Sequence, residues 1–153
     1  MEKVEDTLLE ELQFYGHQNV LATHYNTLEV TMDEDISKRA DCIIGVKANK
    51  GCLQLNQKLR SHIHRSEWLR FNLIVRDFNF EFVGKGESTL DLSDPREIVF
   101  RKSNYVSART AALNCNVAAC DIPRHIIKLL QRPDSIGKIR ISALQDPRCA
   151  EKA

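Results

Sequence analysis

An apolar skeleton occurs twice in this chain, about 67 residues apart, and any fold must accommodate both copies. The first spans Thr27 to Val75, through a strand at Leu28 to Met32, a strand at Asp41 to Lys47, a helical stretch at Leu53 to His64 and a strand at Leu69 to Val75. The second spans Glu97 to Leu144 in the same order. Laid over one another, Val46, Leu55, Leu59 and Ile63 meet Leu113, Ile122, Ile126 and Leu130, and the small pair Gly51 and Cys52 meets Ala118 and Ala119. Asn49 over Asn116 is the clear identity at the strand-to-helix junction. The register slips at Leu28 against Ile98 and at Leu69 against Ile139, where the connecting loops differ in length. Self-similarity of this kind constrains architecture strongly but names no reaction.

The elements follow from periodicity. Leu28, Val30 and Met32 alternate with Glu29 and Thr31, the pattern of a half-buried strand. Cys42 to Val46 is a nearly unbroken apolar run, which suits a strand buried on both faces. Leu55, Leu59 and Ile63 have the spacing of a helix with one apolar stripe. Leu69 to Val83 alternates on both sides of Arg76 and Asp77 and predicts an antiparallel hairpin. Pro123 suits the first turn of a second helix, with Asp121 as its cap, and Ile139, Ile141 and Ala143 form a last alternating strand. The segment Thr7 to Tyr15 fits either a short helix or a strand ending at Gly16, and the tail 145–153 is expected to be loose.

At 153 residues and 42% hydrophobic content the chain has the size of one domain (1–153) with a sizeable core, its halves at 27–75 and 97–144. Two interlocked strand-strand-helix-strand repeats predict an α+β fold, a closed and mainly antiparallel β-barrel with an inserted hairpin strand. Closure would remove exposed strand edges. The arrangement is similar to the cradle-loop barrels, a resemblance that implies nucleotide, flavin, peptide or nucleic-acid ligands, or an adaptor role.

Twenty-two basic against 21 acidic residues leave a net charge of +1, so no bulk field marks DNA, RNA or anionic lipid as a partner. The five cysteines form no CxxC pair, and the N-terminus has no signal-peptide pattern. A reducing, intracellular and cytoplasmic setting is expected, and nothing in the sequence rules against the nucleus. No apolar run is long enough to span a bilayer, so no membrane partner is expected.

Two polar clusters stand out. His17, Asn19, Thr23, His24, Thr27 and Glu29 combine imidazoles, an amide and a carboxylate suited to acid-base work. No metal is expected; were one bound, His17, His24 and Asp41 would be its ligands. The plainer reading makes His17 a turn cap, gives Asn19 local backbone bonds and turns Glu29 to water. Arg101, Lys102, Ser103 and Arg109, with Lys47 and Lys50 at the matching point of the first half, would form a cationic groove if the loops approach one another. Taken singly, each of these cations reads as a solvated surface charge. His62, His64 and His125 read as surface histidines, and Cys115 and Cys120 as core thiols.

Read in order, Gly16-His17-Gln18-Asn19-Val20, Ala22-Thr23-His24, Thr27 to Thr31, Asp41 to Val46 and Arg101-Lys102-Ser103 resemble an uncharacterised, mainly archaeal family of small proteins, known as a domain of unknown function. The resemblance covers about Phe14 to Leu130 and carries a suggestion of nuclease activity. Ala40 stands where that family has glycine, and Asn49 and Asn116 where aspartate is usual.

Three functions are compatible with these residues, and the sequence alone leaves open whether the protein is an enzyme. The first is a binding module that holds RNA or a phosphate-bearing small molecule through Asn19, Thr27, Lys47, Arg101, Lys102, Ser103 and Arg109. The second is a metal-assisted hydrolase or nuclease using His17, His24 and Glu29. The third is an adaptor that offers the hairpin strand 78–83 to a protein partner. No cofactor is identified by any motif.

Overall fold

The structure, a computed structural model, describes residues 7–144. Eight strands and two helices follow one another as β1 (Leu8–Tyr15), β2 (Thr27–Thr31), β3 (Ile43–Gly45), α1 (Gln57–His64), β4 (Trp68–Val75), β5 (Phe78–Lys85), β6 (Glu97–Arg101), β7 (Thr110–Ala112), α2 (Arg124–Leu130) and β8 (Ile136–Ala143). One sheet has the order β1-β8-β4-β5 and is antiparallel throughout. The other has the order β3-β2-β6-β7, with an antiparallel centre and parallel outer pairs.

Among the described residues no sheet closes into a barrel, which corrects the closed architecture expected from the repeat. The strands that would have to complete the ring, β3 and β7, are three residues long. Each reaches the other sheet through a single bridge, Tyr15 to Val46 and Lys85 to Leu113, and not through a ladder. A three-residue strand has too few backbone groups to sustain two ladders at once.

The inserted strand also needs correction. β5 is the counterpart of β1, which the sequence left undecided, so the duplication starts at Leu8 and again at Phe78. Matching hydrogen bonds show this. The Gln13 N–H donates to Asn49 Oδ1 at 3.0 Å, and the Val83 N–H to Asn116 Oδ1 at 2.9 Å. Gln131 Nε2 donates to the Val20 carbonyl at 2.9 Å, while His64 Nε2 lies 2.7 Å from the Leu90 carbonyl. Ala22 and Leu92 share a left-handed backbone, φ 51° and 52°, as do Lys47 and Asn114, both at φ 52°. Conformations rare for residues with side chains recur at the same points of both halves.

Gly16 and Gly86 leave β1 and β5 against the last turn of the opposite half's helix. A Cβ on Gly86 would lie 2.6 Å from the Ile63 carbonyl oxygen, so only glycine allows this approach.

The core lies between the sheets. Leu12 and Phe14 from β1, Leu69, Phe71, Leu73 and Val75 from β4, and Ile139 and Ile141 from β8 face Leu28, Val30, Ile98 and Phe100 from the second sheet. Phe71 stacks on Phe82 at 4.7 Å and tilts against Phe100 at 4.9 Å. Each such side chain contributes about 1.5–3 kcal/mol on burial. Phe14 fills a slot left by the missing side chains of Gly45 and Gly137.

The helical stretch of the first half divides into a 3-10 turn at Cys52–Gln54 and α1, whose N-cap Asn56 accepts from the Leu59 N–H. In the second half Pro123 takes the N-cap position of α2, and Asp121 instead accepts from the Ala118 N–H of the preceding turn. His62 is buried against the Trp68 carbonyl and Cys120 is exposed, both contrary to expectation, whereas Cys115 is buried as expected. The tail 145–153 lies outside the described residues. Among the described residues no helix is long and apolar enough to cross a membrane.

Candidate functional site

The β2–β6 ladder pairs Thr27 with Arg101, Glu29 with Val99 and Thr31 with Glu97. Side chains directly opposite one another point to the same face of a sheet. The intervening Leu28, Val30, Ile98 and Phe100 fill the core, so Thr27, Glu29, Thr31, Glu97 and Arg101 share the other face. Polar residues would be unremarkable on a wetted face, but these are covered. Glu29 is 2% exposed and Arg101 8%.

At the centre Glu29 meets Glu97, Arg109 and Cys42. Arg109 lies 2.9 Å from Glu97 and 3.7 Å from Glu29, and the Cys42 thiol donates to Glu29 at 3.5 Å. Burial, with the hydrogen bond and charge of Glu97, pushes the Glu29 carboxyl up to about 8 against the partial compensation of Arg109. Glu29 is therefore largely a neutral acid at neutral pH, beside a Glu97 that is tied to Arg109. Burial and the adjacent Glu29 push the Cys42 thiol up to about 12, which makes it a poor nucleophile.

At the Thr27 end Arg101 donates through Nε to Thr110 Oγ1 at 2.9 Å and through its terminal nitrogen to Ser107 at 3.2 Å. Its guanidinium lies over the Tyr105 ring, 4.9 Å from the centroid. Burial and the nearby Arg109 charge lower its pKa. Arg109 itself is partly buried, but its hydrogen bond to Glu97 and the two carboxyls outweigh that and raise its pKa. His24 Nδ1 accepts from the backbone of Asn26 and Thr27, both at 3.1 Å, and lies 2.9 Å from the Thr27 hydroxyl. That places the imidazole proton on Nε2. The Lys102 N–H donates to the Asn26 carbonyl at 2.8 Å and joins the two loops beyond the ladder.

The structure thus gathers His24, Thr27, Glu29, Arg101 and Arg109 along one ladder. His17 is engaged elsewhere: Nε2 is 2.6 Å from Asp35, Nδ1 accepts from the Asn19 N–H, and its own N–H binds the Leu130 carbonyl. Asn19 donates to the Ile36 carbonyl. Asp41 offers its carbonyl to the N–H groups of Thr23 and His24. No group of three or more His, Cys, Asp or Glu side chains among the described residues is arranged to hold a metal ion. Lys47 is exposed, Lys50 pairs with Glu10, Lys102 lies 3.6 Å from Asp121, and Ser103 accepts from the Tyr105 N–H.

Sequence reasoning passed over Glu97, Cys42, Thr110, Ser107 and the two exposed tyrosines, Tyr25 and Tyr105. A signal did exist for Glu97, which opens the second copy of the strand that carries Glu29.

The family model described as "Domain of unknown function (DUF371)" matches residues 12–144, and the chain belongs to that family. An uncharacterized protein of Methanocaldococcus jannaschii is 34% identical over 116 residues, 76% of this chain and 86% of that relative. The resemblance drawn from the motifs to an uncharacterised, mainly archaeal family holds.

Proposed function

We propose that the protein is a binding module for a phosphate-bearing ligand, RNA above all, taken at the Arg101 end of the β2–β6 ladder. The observation that carries this reading is the pairing of two guanidiniums. Arg101 bonds through Nε to the hydroxyl of Thr110, the chain neighbour of Arg109, which brings the two to one face of the sheet. Arg101 is hydrogen-bonded to neutral hydroxyls, and Lys102 follows it in the chain with its ammonium 3.6 Å from Asp121. An anion would give Arg101 the charge partner that those hydroxyls do not supply, and an Arg fork matches phosphate oxygens. Arg109 is 44% exposed at its side chain and forms the open edge of the site.

Labelled RNA titrated at several salt concentrations tests the reading. Replacing Lys102 by Ala and Arg109 by Gln should weaken binding and reduce the salt slope by about one for each phosphate no longer neutralised. Unaltered affinity and slope in the double variant reject it.

The Glu29–Glu97 pair favours a second reading, a hydrolase in which Glu29 supplies a proton and Glu97 accepts one. RNA and DNA incubated with wild type and with Glu29→Gln, with and without chelator, decide it. Substrates that stay intact in every arm remove this reading.

A further inference from the structure

We infer that the site takes single-stranded nucleic acid by stacking its bases on Tyr25 and Tyr105. This rests on the phosphate-binding reading and adds the part of the ligand that the cations cannot recognise. Both tyrosines are large exposed rings, 71% and 62% exposed. Each is backed on one side by a group that the protein itself holds still.

Tyr25 lies parallel to the His24 imidazole, with ring centroids 5.4 Å apart and 4° between planes. The imidazole is fixed in turn at Nδ1 by the Asn26 and Thr27 backbone and the Thr27 hydroxyl, and the His24 carbonyl accepts from the Cys120 N–H. Tyr105 lies under the Arg101 guanidinium, which Thr110 and Ser107 anchor from behind. A ring that already rests on a fixed group has less freedom to lose when a base stacks on its open face.

The two platforms belong to one end of the molecule. Thr27 pairs with Arg101, and the Lys102 N–H to Asn26 carbonyl bond continues the connection past the ladder. Tyr25 precedes that junction in one segment and Tyr105 follows it in the other. Cations beside aromatic faces are the arrangement that binds a single strand, with phosphates on the charges and bases on the rings. A duplex keeps its bases stacked on one another and offers these rings nothing.

The test is fluorescence anisotropy with a labelled single-stranded RNA oligomer, the DNA oligomer of the same sequence, an abasic oligomer of the same length and a duplex. Wild type should bind the base-bearing single strands more tightly than the abasic strand or the duplex. Tyr25→Ala and Tyr105→Ala should each weaken base-bearing strands about 5- to 100-fold, leave abasic binding and the salt slope unchanged, and be rescued by Phe. Tighter binding of RNA than of DNA would make the ligand RNA; equal binding would make it either strand.

Tyrosine variants with wild-type affinity, alongside a Lys102→Ala and Arg109→Gln variant that has lost binding, overturn stacking and leave the phosphate reading standing. Wild type that binds none of the four oligomers overturns both. Thermal unfolding of each variant separates loss of binding from loss of fold.

Discussion

Replacing Glu29 by Gln should remove a pH dependence of stability that the buried carboxyl imposes. The folded protein holds the Glu29 proton up to about pH 8, while an unfolded glutamate releases it near 4.5. Between those values the folded state carries more protons than the unfolded chain, so stability is fully present below the unfolded value and falls as pH rises through the folded one. The slope is about 1.4 kcal/mol per pH unit, with an upper limit of about 5 kcal/mol over the interval. Arg109, 3.7 Å away, already holds the shift below what burial alone would give, and because Glu97 can share the proton we expect a loss of about 2–4 kcal/mol. Gln keeps the shape and the donor toward Glu97 and does not titrate. Urea unfolding of both proteins between about pH 5 and about pH 8 reads the effect. The stability difference should move in favour of the Gln variant as pH rises. A difference that stays constant across that range refutes the assignment of a raised Glu29 pKa.

Ser135 Oγ is buried without a hydrogen-bond partner among the described residues, so Ser135→Ala should raise stability by about 1 kcal/mol; a loss in the same unfolding assay would show the hydroxyl to be satisfied. Asn49 and Asn116 act through an acceptor oxygen, so Asn→Asp at either should change stability by less than about 0.5 kcal/mol while Asn→Ala costs about 1 kcal/mol. Equal effects of Asp and Ala in thermal unfolding would contradict that. Among the described cysteines, Cys120 should alkylate first, because it is exposed while burial pushes Cys42, Cys52 and Cys115 up to about 12. Peptide mapping after limited alkylation gives the order, and prior labelling of Cys115 would be inconsistent with its burial.

The apolar periodicity of β2, β4, β5 and β8 was legible because each turns one face to the core. β1 was not, since the buried Glu10 interrupts the alternation of Leu12 and Phe14. Its carboxylate is satisfied by Lys50 Nζ and the Asn56 N–H, partners about 40 residues away that no local pattern reveals. The full extent of the repeat was hidden by a loop. From Thr27 to Glu97 the halves are 70 positions apart, from Ile43 to Thr110 they are 67, and the connection between β6 and β7 accounts for the change. Closure was misjudged because it depends on the length of β3 and β7, and a short apolar run does not state how many residues pair.

Of the candidate site, the Arg101 to Arg109 cluster was legible as charge. Its partners were not, because Thr110 and Ser107 look like ordinary loop residues until the chain folds them under the guanidinium. Glu29 read as an outward residue of a half-buried strand. Alternation distinguishes the two faces of a sheet but not whether the second face is covered, and here Cys42, Glu97 and Arg109 close over it.

Glu29 and Val99 are not only opposite one another in the ladder; they are the same position of the two halves, so the pseudo-twofold axis passes between them. In a dimer of identical chains any residue there would face its own copy. Glutamate would meet glutamate in a dry setting, and one of the two would have to give up its charge to no partner's benefit. Joining the halves into one polypeptide removes that restriction. The axis can then hold an acid on one side and a hydrocarbon on the other, with Arg109 standing where the first half has Cys42. Two halves held in one polypeptide thus have a chemical freedom that a symmetric assembly of the same shape is denied.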